Sequence, residues 1–294
     1  MIVVSYLMSY PGALWGMPSA LALLIICLST FAVLAAEADD RSSPPGYARW
    51  AEQALQKPPD GVRFMDQLSQ RLLELTRRRR GHTPGRLHPL EEDTGLGRAA
   101  RAHALDLLES NYLDHLDRHG RTASERVGIL DRRFVGAVGE NLAEHIGLGA
   151  DAVADQIGPL AHRIMDGWMR SSGHRHNLLS PGYTHQGIGA AVQGERLVVV
   201  HVFGERRAAL EEPLPITVKS GHELPLTVSP GSGRPAPEKY GFASPGQSSA
   251  EVVAVDLSAR EVMVDPGTYR VEFFIPTGQS NTFSVADGPI VVVE

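Results

Sequence analysis

Cysteine is almost absent from this chain, and basic residues are outnumbered by acidic ones. Cys27 is the single cysteine among 294 residues, so no intramolecular disulfide can form and a disulfide-crosslinked scaffold is excluded. The chain has 28 Lys and Arg residues and 34 Asp and Glu residues, which gives a net charge of -6 at pH 7. A general nucleic-acid-binding protein normally has a basic surplus, so this balance argues against nucleic acid as a partner. The length and a hydrophobic content of 43% suit a globular chain with one large or two modest domains.

Sequence motifs of several enzyme classes are also missing. The chain contains no H-E-x-x-H zinc motif, no P-loop and no G-x-S-x-G nucleophile turn. No G-x-G-x-x-G leads from a strand into a helix, which argues against a Rossmann dinucleotide site. No cysteine nucleophile follows residue 38. What remains for chemistry is a set of polar residues in turn-rich segments.

Residues 1–38 contain a strongly apolar run, ALALLIICLSTFAVLAAEA. The small residues through Ala38 resemble the A-x-A cleavage site of a secretory signal peptide. No Lys or Arg precedes the run, and it extends back to Ala13, which is long enough for a membrane span. Two interpretations stay open, a cleaved signal peptide and a retained membrane anchor. Both place the body of the protein outside the cytoplasm (secreted, periplasmic or at the cell surface), with membrane contact only through this segment.

Residues 39–61 are interrupted by prolines and predict a linker with about one helical turn. Helical periodicity, with apolar steps of three and four residues, follows in three segments. The apolar stripes are Met65, Leu68, Leu72 and Leu75; Leu96, Ala100, His103 and Leu107; and Val153, Ile157, Leu160, Ile164 and Trp168. We interpret His103 as a core histidine and the basic run 77–80 as cations that offset a helix dipole. Pro159 interrupts the third segment, which can therefore form either one helix or two shorter ones.

Two strand patterns, QGIGAAVQ and RLVVVHVF, come next, and Gly194-Glu195 between them suits a hairpin turn. Helices followed by a hairpin indicate an α+β domain over residues 62–207, with helices packed on a sheet. Residues 208–294 contain no helical pattern. Strand patterns lie there at 252–257, 261–264, 269–275 and 290–293, with a turn at Asp265-Pro266-Gly267. They predict a small all-β, sandwich-like module.

Three polar segments carry the candidate functional residues. YLDHLDRHGRTASER contains His115 and His119, and VGENLAEH contains Glu140 and Asn141. SSGHRHNLLSPGYTHQGIG contains three histidines, at positions 174, 176 and 185. Imidazoles and a carboxylate that come together can bind zinc or transfer a proton. The alternative is that these residues mainly hold turns in place by hydrogen bonds.

Taken in order, these segments resemble the CAP superfamily in its bacterial form. That superfamily includes cysteine-rich secretory proteins, plant pathogenesis-related proteins and venom allergens. The resemblance spans residues 62–205 and rests on four segments: AARAHALDLLESNYLDHLDRHGRTASERV, VGENLA, WMRSSGHRHNLLSPGYTHQGIGAAV and VVVHVFGE. It implies a three-layer α-β-α sandwich, in agreement with the helices and the hairpin above.

The resemblance also implies a cleft in which histidines and acidic residues can hold a divalent metal such as zinc. His115 matches the histidine of the family's H-x-D-x-x-G pattern, with Asp117 and Gly120 in step. Glu140 matches the glutamate of GEN, and His174 matches the histidine of the bacterial S-P-G-H-R-x-N motif. His115, Glu140 and His174 are therefore the candidate metal ligands and the candidate catalytic residues.

Asn141, Arg175 and Asn177 match motif positions beside these residues, and we expect them to fix the loops. Two positions depart from the family pattern. Ser171 stands where the eukaryotic branch has a second glutamate, and His185 is out of step with that branch's second histidine. A complete set of two histidines and two glutamates is therefore not expected.

Three functions compete at this point. The first is a secreted or surface-exposed protein that binds a lipid or a cell-envelope component in the His/Glu-lined cleft, where a divalent metal assists. The second is a metal-assisted hydrolase in which Glu140 and the cleft histidines activate water. The third is a structural or adhesion role carried by the β module at 208–294. The missing catalytic motifs favour the first.

Overall fold

The computed structural model describes residues 40–56, 62–83, 85, 87–147 and 156–294. The predicted signal peptide or membrane anchor, residues 1–38, lies outside these described residues. Of the helices in the described residues, none combines the length and the hydrophobicity needed to cross a bilayer. Residues Arg41–Glu294 form one compact unit.

The described helices are α1 (Pro44–Gln56), α2 (Val62–Gly81), α3 (Thr94–Glu109), α4 (Ala123–Leu130), α5 (Ile157–Arg170) and α6 (Ser172–Leu179), with 3₁₀ turns at Asp40–Ser42 and Ser249–Glu251. The described strands are β1 (Glu91–Glu92), β2 (Phe134–Ile146), β3 (His185–Gln193), β4 (Arg196–Leu210), β5 (Thr217–Val218), β6 (Val228–Pro230), β7 (Lys239–Ala243), β8 (Val255–Asp256), β9 (Gly267–Pro276) and β10 (Phe283–Val293). In the part of the chain that is described, they form one sheet in the order β1-β3-β4-β2-β10-β9-β7-β8, with β5 beside β10 and β6 beside β4. The predicted α+β class is confirmed.

Helices cover both faces of the sheet where β2, β3 and β4 pair. Gly189 of β3 lies beside Val200 of β4, and it approaches α3 so closely that a Cβ there would lie 2.1 Å from the Arg101 nitrogen. Successive residues of a strand point to opposite faces, so His201 faces away from α3. Its ring centroid lies 5.6 Å from that of Trp168 in α5. The predicted three-layer α-β-α arrangement is therefore confirmed.

The structure differs from the predicted linker, because residues 44–56 form the 13-residue helix α1. Pro44 and Pro45 occupy its first turn, where the backbone N–H groups have no partner within the helix. Tyr47 and Ala51, which are one turn apart, are buried. The guanidinium of Arg121 lies 4.2 Å from the centre of the Tyr47 ring. The prolines that predict a linker therefore start a helix that packs on the domain.

Helix α5 settles the alternative that Pro159 left open. Pro159 is the third residue of a helix that begins at Ile157. A proline in the first turn removes no intrahelical hydrogen bond, so the helix continues through it. Leu160, Ile164 and Trp168 of the predicted stripe are buried, and the first residue of that stripe lies outside the described residues.

The C-terminal strands extend the same sheet. β9 and β10 form a long antiparallel hairpin that contains the predicted strands 269–275 and 290–293. β10 also pairs with β2, where Asp287 lies opposite Gly136. Of the patterns at 252–257 and 261–264, only Val255–Asp256 forms a strand in the described structure, and Glu261 makes an isolated bridge. The predicted β-rich C-terminal region is confirmed, while the boundary at residue 208 stays a prediction because β4 crosses it.

Arg80 does more than offset the dipole of α2. Its side chain is buried, and its guanidinium donates to the carbonyl oxygens of His88, Leu178 and Ser180, each at 2.9 Å. It thus joins the end of α2 to the segment before β1 and to the end of α6. Arg79, the preceding residue, forms an exposed ion pair with Asp166.

We expect Arg80→Ala to lower the free energy of unfolding by about 3 kcal/mol, because three carbonyl oxygens lose a charged donor. The matched variant Arg79→Ala should lose less than about 1 kcal/mol, as is usual for an exposed ion pair. Urea unfolding of both variants measures the difference. Equal losses would contradict the role assigned to Arg80.

Two buried histidines make the domain sensitive to acid. Burial lowers the pKa of His201 from 6.5 to about 3, and burial also lowers the pKa of His103 to about 4. His103 is fully buried in α3, as a core histidine should be. The unfolded chain takes up each proton near the ordinary pKa, whereas the folded chain resists it. Stability from both residues is therefore complete above pH 6.5 and is lost as the pH falls toward these lowered values.

The variant His201→Gln should remove one of these two contributions. Between about pH 7.5 and about pH 5, His201 alone should cost the wild-type chain about 2 kcal/mol of unfolding free energy. The variant should lose that much less over the same interval in urea titrations at both pH values. His176→Gln, at an exposed histidine, should behave like the wild type. A His201→Gln variant with the full wild-type loss would refute this account.

Candidate functional site

His115 is carried by the turn that follows α3, and Asp117 holds that turn. Oδ1 of Asp117 accepts backbone N–H groups of His119 and Arg121, both at 2.9 Å. Its Oδ2 accepts Nε of Arg121 at 2.7 Å. Gly120 has a φ of 80°, a conformation that other residues rarely adopt. The acid and the glycine of the H-x-D-x-x-G pattern therefore shape the turn that presents His115.

Glu140 lies in the middle of β2 with its carboxylate buried between two partners. Nδ1 of His115 donates to Oε1 at 2.9 Å, and the Arg126 guanidinium donates to Oε2 at 2.6 Å. Arg126 also donates to the carbonyl oxygens of His115 at 2.9 Å and Arg121 at 2.7 Å. The buried guanidinium of Arg126 therefore holds both the carboxylate of Glu140 and the backbone of His115, the histidine that binds this carboxylate.

The contact sets the charge of both groups. Burial alone would raise the pKa of Glu140, but the charge of Arg126 and the hydrogen bond from His115 outweigh it and lower the pKa. The hydrogen bond to Glu140 raises the pKa of His115 against the opposing effect of burial. Glu140 is therefore ionised, and the Nδ1 proton of His115 points at it. This leaves Nε2 as the nitrogen that can bind a metal or accept a proton.

His174 lies on α6, in a segment whose composition predicts turns. Residues 172–179 form a helix instead, and Leu178 is its buried residue. Nδ2 of Asn141 donates to the His174 carbonyl oxygen at 3.0 Å. Nδ2 of Asn177 donates to Oδ1 of Asn141 at 2.9 Å and to the Glu140 carbonyl oxygen at 3.0 Å. These amides attach α6 to β2, which fixes the position of His174.

The outer edge of β2 needs such side-chain donors. β10 pairs with β2 at Gly136, and past that residue the described strands leave this edge open. Asn177 satisfies the carbonyl oxygen of Glu140, and Nε1 of Trp168 donates to that of Leu142 at 2.8 Å. Unpaired edge carbonyls favour pairing with another strand, so these two side chains protect the edge.

The two histidines come together at this edge. The ring centroids of His115 and His174 are 6.3 Å apart, with the ring planes inclined by 53°. The His115 side chain is about half exposed, at 55%. Partial burial lowers the pKa of His174, and the neighbouring His115 lowers it further. The arrangement is one basic imidazole supported by a carboxylate, facing a second imidazole that is more readily neutral.

The other predicted residues lie around this pair. Arg175 donates to the Met169 carbonyl oxygen at 3.0 Å, which ties α6 to the end of α5. His176 is exposed. His185 begins β3, where its Nε2 lies 3.5 Å from a carboxylate oxygen of Glu91. The topology thus brings His115, Glu140 and His174 together, and it places His185 on a strand that β4 separates from β2.

The described site offers two imidazoles, those of His115 and His174, as possible metal ligands. Within the described residues, no group of three His, Cys, Asp or Glu side chains is placed to hold a metal ion. Both carboxylate oxygens of Glu140 are engaged, by His115 and by Arg126. A carboxylate behind a histidine is the usual support of a metal-bound imidazole. The predicted zinc ligand role of Glu140 stays a prediction, and the free donors are His115 and His174.

Two residues of the site are not apparent from the sequence. Arg126 follows a T-x-x-E capping box, Thr122 to Glu125, which indicates the start of α4 but not that Arg126 faces inward. Tyr183 lies against Gly139, where a Cβ would come within 2.1 Å of the phenol oxygen. The Tyr183 ring stacks on another aromatic ring, that of Phe203 in β4. The glycine of GEN therefore makes room for Tyr183.

Glu140→Gln should lower the pKa of His115, because the variant keeps a hydrogen-bonding oxygen but loses the negative charge. Titration of the histidine ring resonances by NMR measures this change. Glu144→Gln is the matched control, since Glu144 lies on the same strand but pairs with Arg196. An unchanged His115 pKa in Glu140→Gln, or an equal fall in the control, would contradict the contact.

Sequence and structure comparisons find relatives for between a third and a half of the chain. Residues 74–203 match the family model described as "CAP: Cysteine-rich secretory protein family". The uncharacterized protein YkwD of Bacillus subtilis strain 168 is 32% identical over 108 residues, which are 37% of this chain and 37% of that protein. The uncharacterized membrane protein YlbC of the same strain is 32% identical over 105 residues, 35% of this chain and 26% of that protein. The chain thus spans well under half the length of these curated relatives.

Solved structures show the same kind of likeness. An outer surface protein from Borrelia burgdorferi is 22% identical, with 46% of this chain and 90% of that chain covered, at a TM-score of 0.38. An extracellular protein containing an SCP domain from Bacillus anthracis is 26% identical, with coverage of 48% and 41%, at a TM-score of 0.37. With the helices, the hairpin and the ordered motifs described above, the family match establishes the identity of this region: residues 74–203 are a CAP domain of the cysteine-rich secretory protein family.

Proposed function

We propose that this protein acts outside the cytoplasm and binds a lipid or another apolar cell-envelope component at the surface formed by His115 and His174. The observation that carries the proposal is the pair of facing imidazoles, one supported by buried Glu140, beside exposed apolar side chains. The apolar run within residues 1–38 and the secretory family of the CAP domain support a location outside the cytoplasm.

Exposed leucines on both sides of His115 supply the apolar part of the surface. Leu113 is 45% exposed and Leu116 is 44% exposed. Removing such area from water contributes about 25 cal/mol per Å². A ligand with a hydrocarbon portion would therefore gain most of its binding free energy here.

The polar part of the surface suits an anionic or polar headgroup. The Nδ1–H group of His115 donates a hydrogen bond to Glu140, so Nε2 is the ring nitrogen that faces the ligand. His174, held by the Asn141 amide, presents the second imidazole. A divalent metal such as zinc, when bound by His115 and His174, would supply a positive charge for the headgroup. Glu140 would then orient His115 without binding the metal itself.

The proposal is tested by titrating the purified chain with cis-parinaric acid, a fluorescent fatty acid, with and without zinc. The wild type should bind it saturably, and zinc should tighten binding. The double variant Leu113→Ser/Leu116→Ser should bind about tenfold more weakly, because it removes about 1.4 kcal/mol of apolar contact. His115→Ala/His174→Ala should keep zinc-free binding but lose the effect of zinc.

Matched controls separate this site from the rest of the surface. His176→Ala removes an exposed histidine of the same helix, and Val253→Ser removes an exposed apolar side chain far along the chain. Both should bind like the wild type. No saturable binding, or equal weakening in Val253→Ser and in the leucine variant, would end the proposal. Loss of peptide or ester hydrolysis in Glu140→Gln, if the wild type hydrolyses either, would favour the hydrolase instead.

A further inference from the structure

The C-terminal region carries a second group of exposed apolar side chains, separate in sequence from the CAP domain site. Val253 is 81% exposed, Met263 is 75% exposed and Val255 is 38% exposed. All three line one cavity of about 440 Å³. Monomeric proteins seldom leave neighbouring apolar side chains exposed without a reason, so their convergence on one cavity points to a ligand.

The cavity has a well-ordered apolar base. Tyr240 and Phe242 of β7 line it, and their ring centroids lie 5.7 Å apart in an edge-to-face arrangement. The Tyr240 hydroxyl donates to the Ala259 carbonyl oxygen at 2.5 Å, which holds the opposite wall. Gly241 between them has no room for a side chain, since a Cβ would lie 2.5 Å from Val252. These contacts fix the positions of the residues at the base of the cavity.

The charges at this cavity have one sign. Its ionisable carboxyl side chains are Glu251 and Glu261, and among the described residues no Lys, Arg or His lines it. Neither carboxylate forms an ion pair with another side chain in the described part of the structure. A ligand that brought a positive charge would meet two unpaired carboxylates, whereas an anionic ligand would be repelled.

We infer that this cavity binds a small organic cation, an apolar chain or ring that carries a protonated amine. The hydrocarbon portion lies against Val253, Val255 and Met263. The ammonium group contacts Glu251 and Glu261, and the aromatic ring of Phe242 adds a favourable surface for a cation. The volume is within the usual range for small-molecule sites. This ligand has the opposite charge preference to the headgroup proposed for the histidine site.

The test uses the purified chain with ¹³C-labelled methionine methyl groups, because the Met263 methyl reports directly on the cavity. Met263→Leu assigns its resonance. The probes are n-octylammonium, 1-octanol and octanoate, which share a chain and differ in charge. Octylammonium should shift the Met263 resonance saturably and bind about fivefold more tightly than octanol, as two exposed ion pairs allow. Octanoate should cause no saturable shift.

Variants separate the charge from the apolar surface. Glu251→Gln/Glu261→Gln should reduce the preference for octylammonium over octanol to less than about twofold. Val253→Ser should weaken the binding of both octylammonium and octanol and keep the preference for octylammonium. Leu113→Ser/Leu116→Ser should change nothing here, so failure of this site and failure of the histidine site give different results.

Three results would overturn the inference. They are an unmoved Met263 resonance with octylammonium, equal binding of octanoate, and a preference for octylammonium that survives the double glutamine variant.

Discussion

The buried contact between Arg126 and Glu140 is the interaction on which the CAP domain site depends. Two buried charges lose their hydration, and such a pair is tolerated when further hydrogen bonds satisfy both groups. Arg126 meets this condition with Glu140 and two backbone carbonyl oxygens, and Glu140 meets it with Arg126 and His115. The pair keeps Glu140 ionised, which orients His115, and it also holds the turn that carries His115. One contact therefore fixes both the ring and its backbone.

The residues of the matched motifs divide into those that present chemistry and those that position it. Asn141 and Asn177 attach α6 to β2 and donate to backbone carbonyl oxygens at an open strand edge. They therefore hold local structure in place and also position the His174 ring. His115 and His174 are the partly exposed rings that this support holds face to face. Glu140 and Asn141 are neighbours on β2 and point to opposite faces of the sheet, so Glu140 supports the His115 ring while Asn141 binds the His174 backbone.

The sheet also places two unlike surfaces on one compact unit. β10 pairs with β9 on one side and with β2 on the other, so it joins the C-terminal strands to the CAP domain sheet. The Ser124 hydroxyl of α4 also donates to Asp287 of β10 at 2.9 Å. The histidine surface is supported by α4 and β2, and the acidic cavity is built on β7. The surface proposed to bind a polar headgroup and the cavity proposed to bind a cation thus both involve strands of one sheet.

Local sequence patterns determined much of the fold. Apolar spacing located α2, α3, α5 and the β3–β4 hairpin, and the ordered motifs identified His115, Glu140 and His174, which the structure brings together. Spacing did not identify α1, α4, α6 or β2. In α1 and α6, proline, glycine and serine favour turns locally, and the packing of Tyr47, Ala51 and Leu178 stabilises a helix there. Nor did it show that Arg126 faces inward. Periodicity reports which positions are buried, whereas the partner that makes a buried charge tolerable comes from a distant strand and is decided by the tertiary structure.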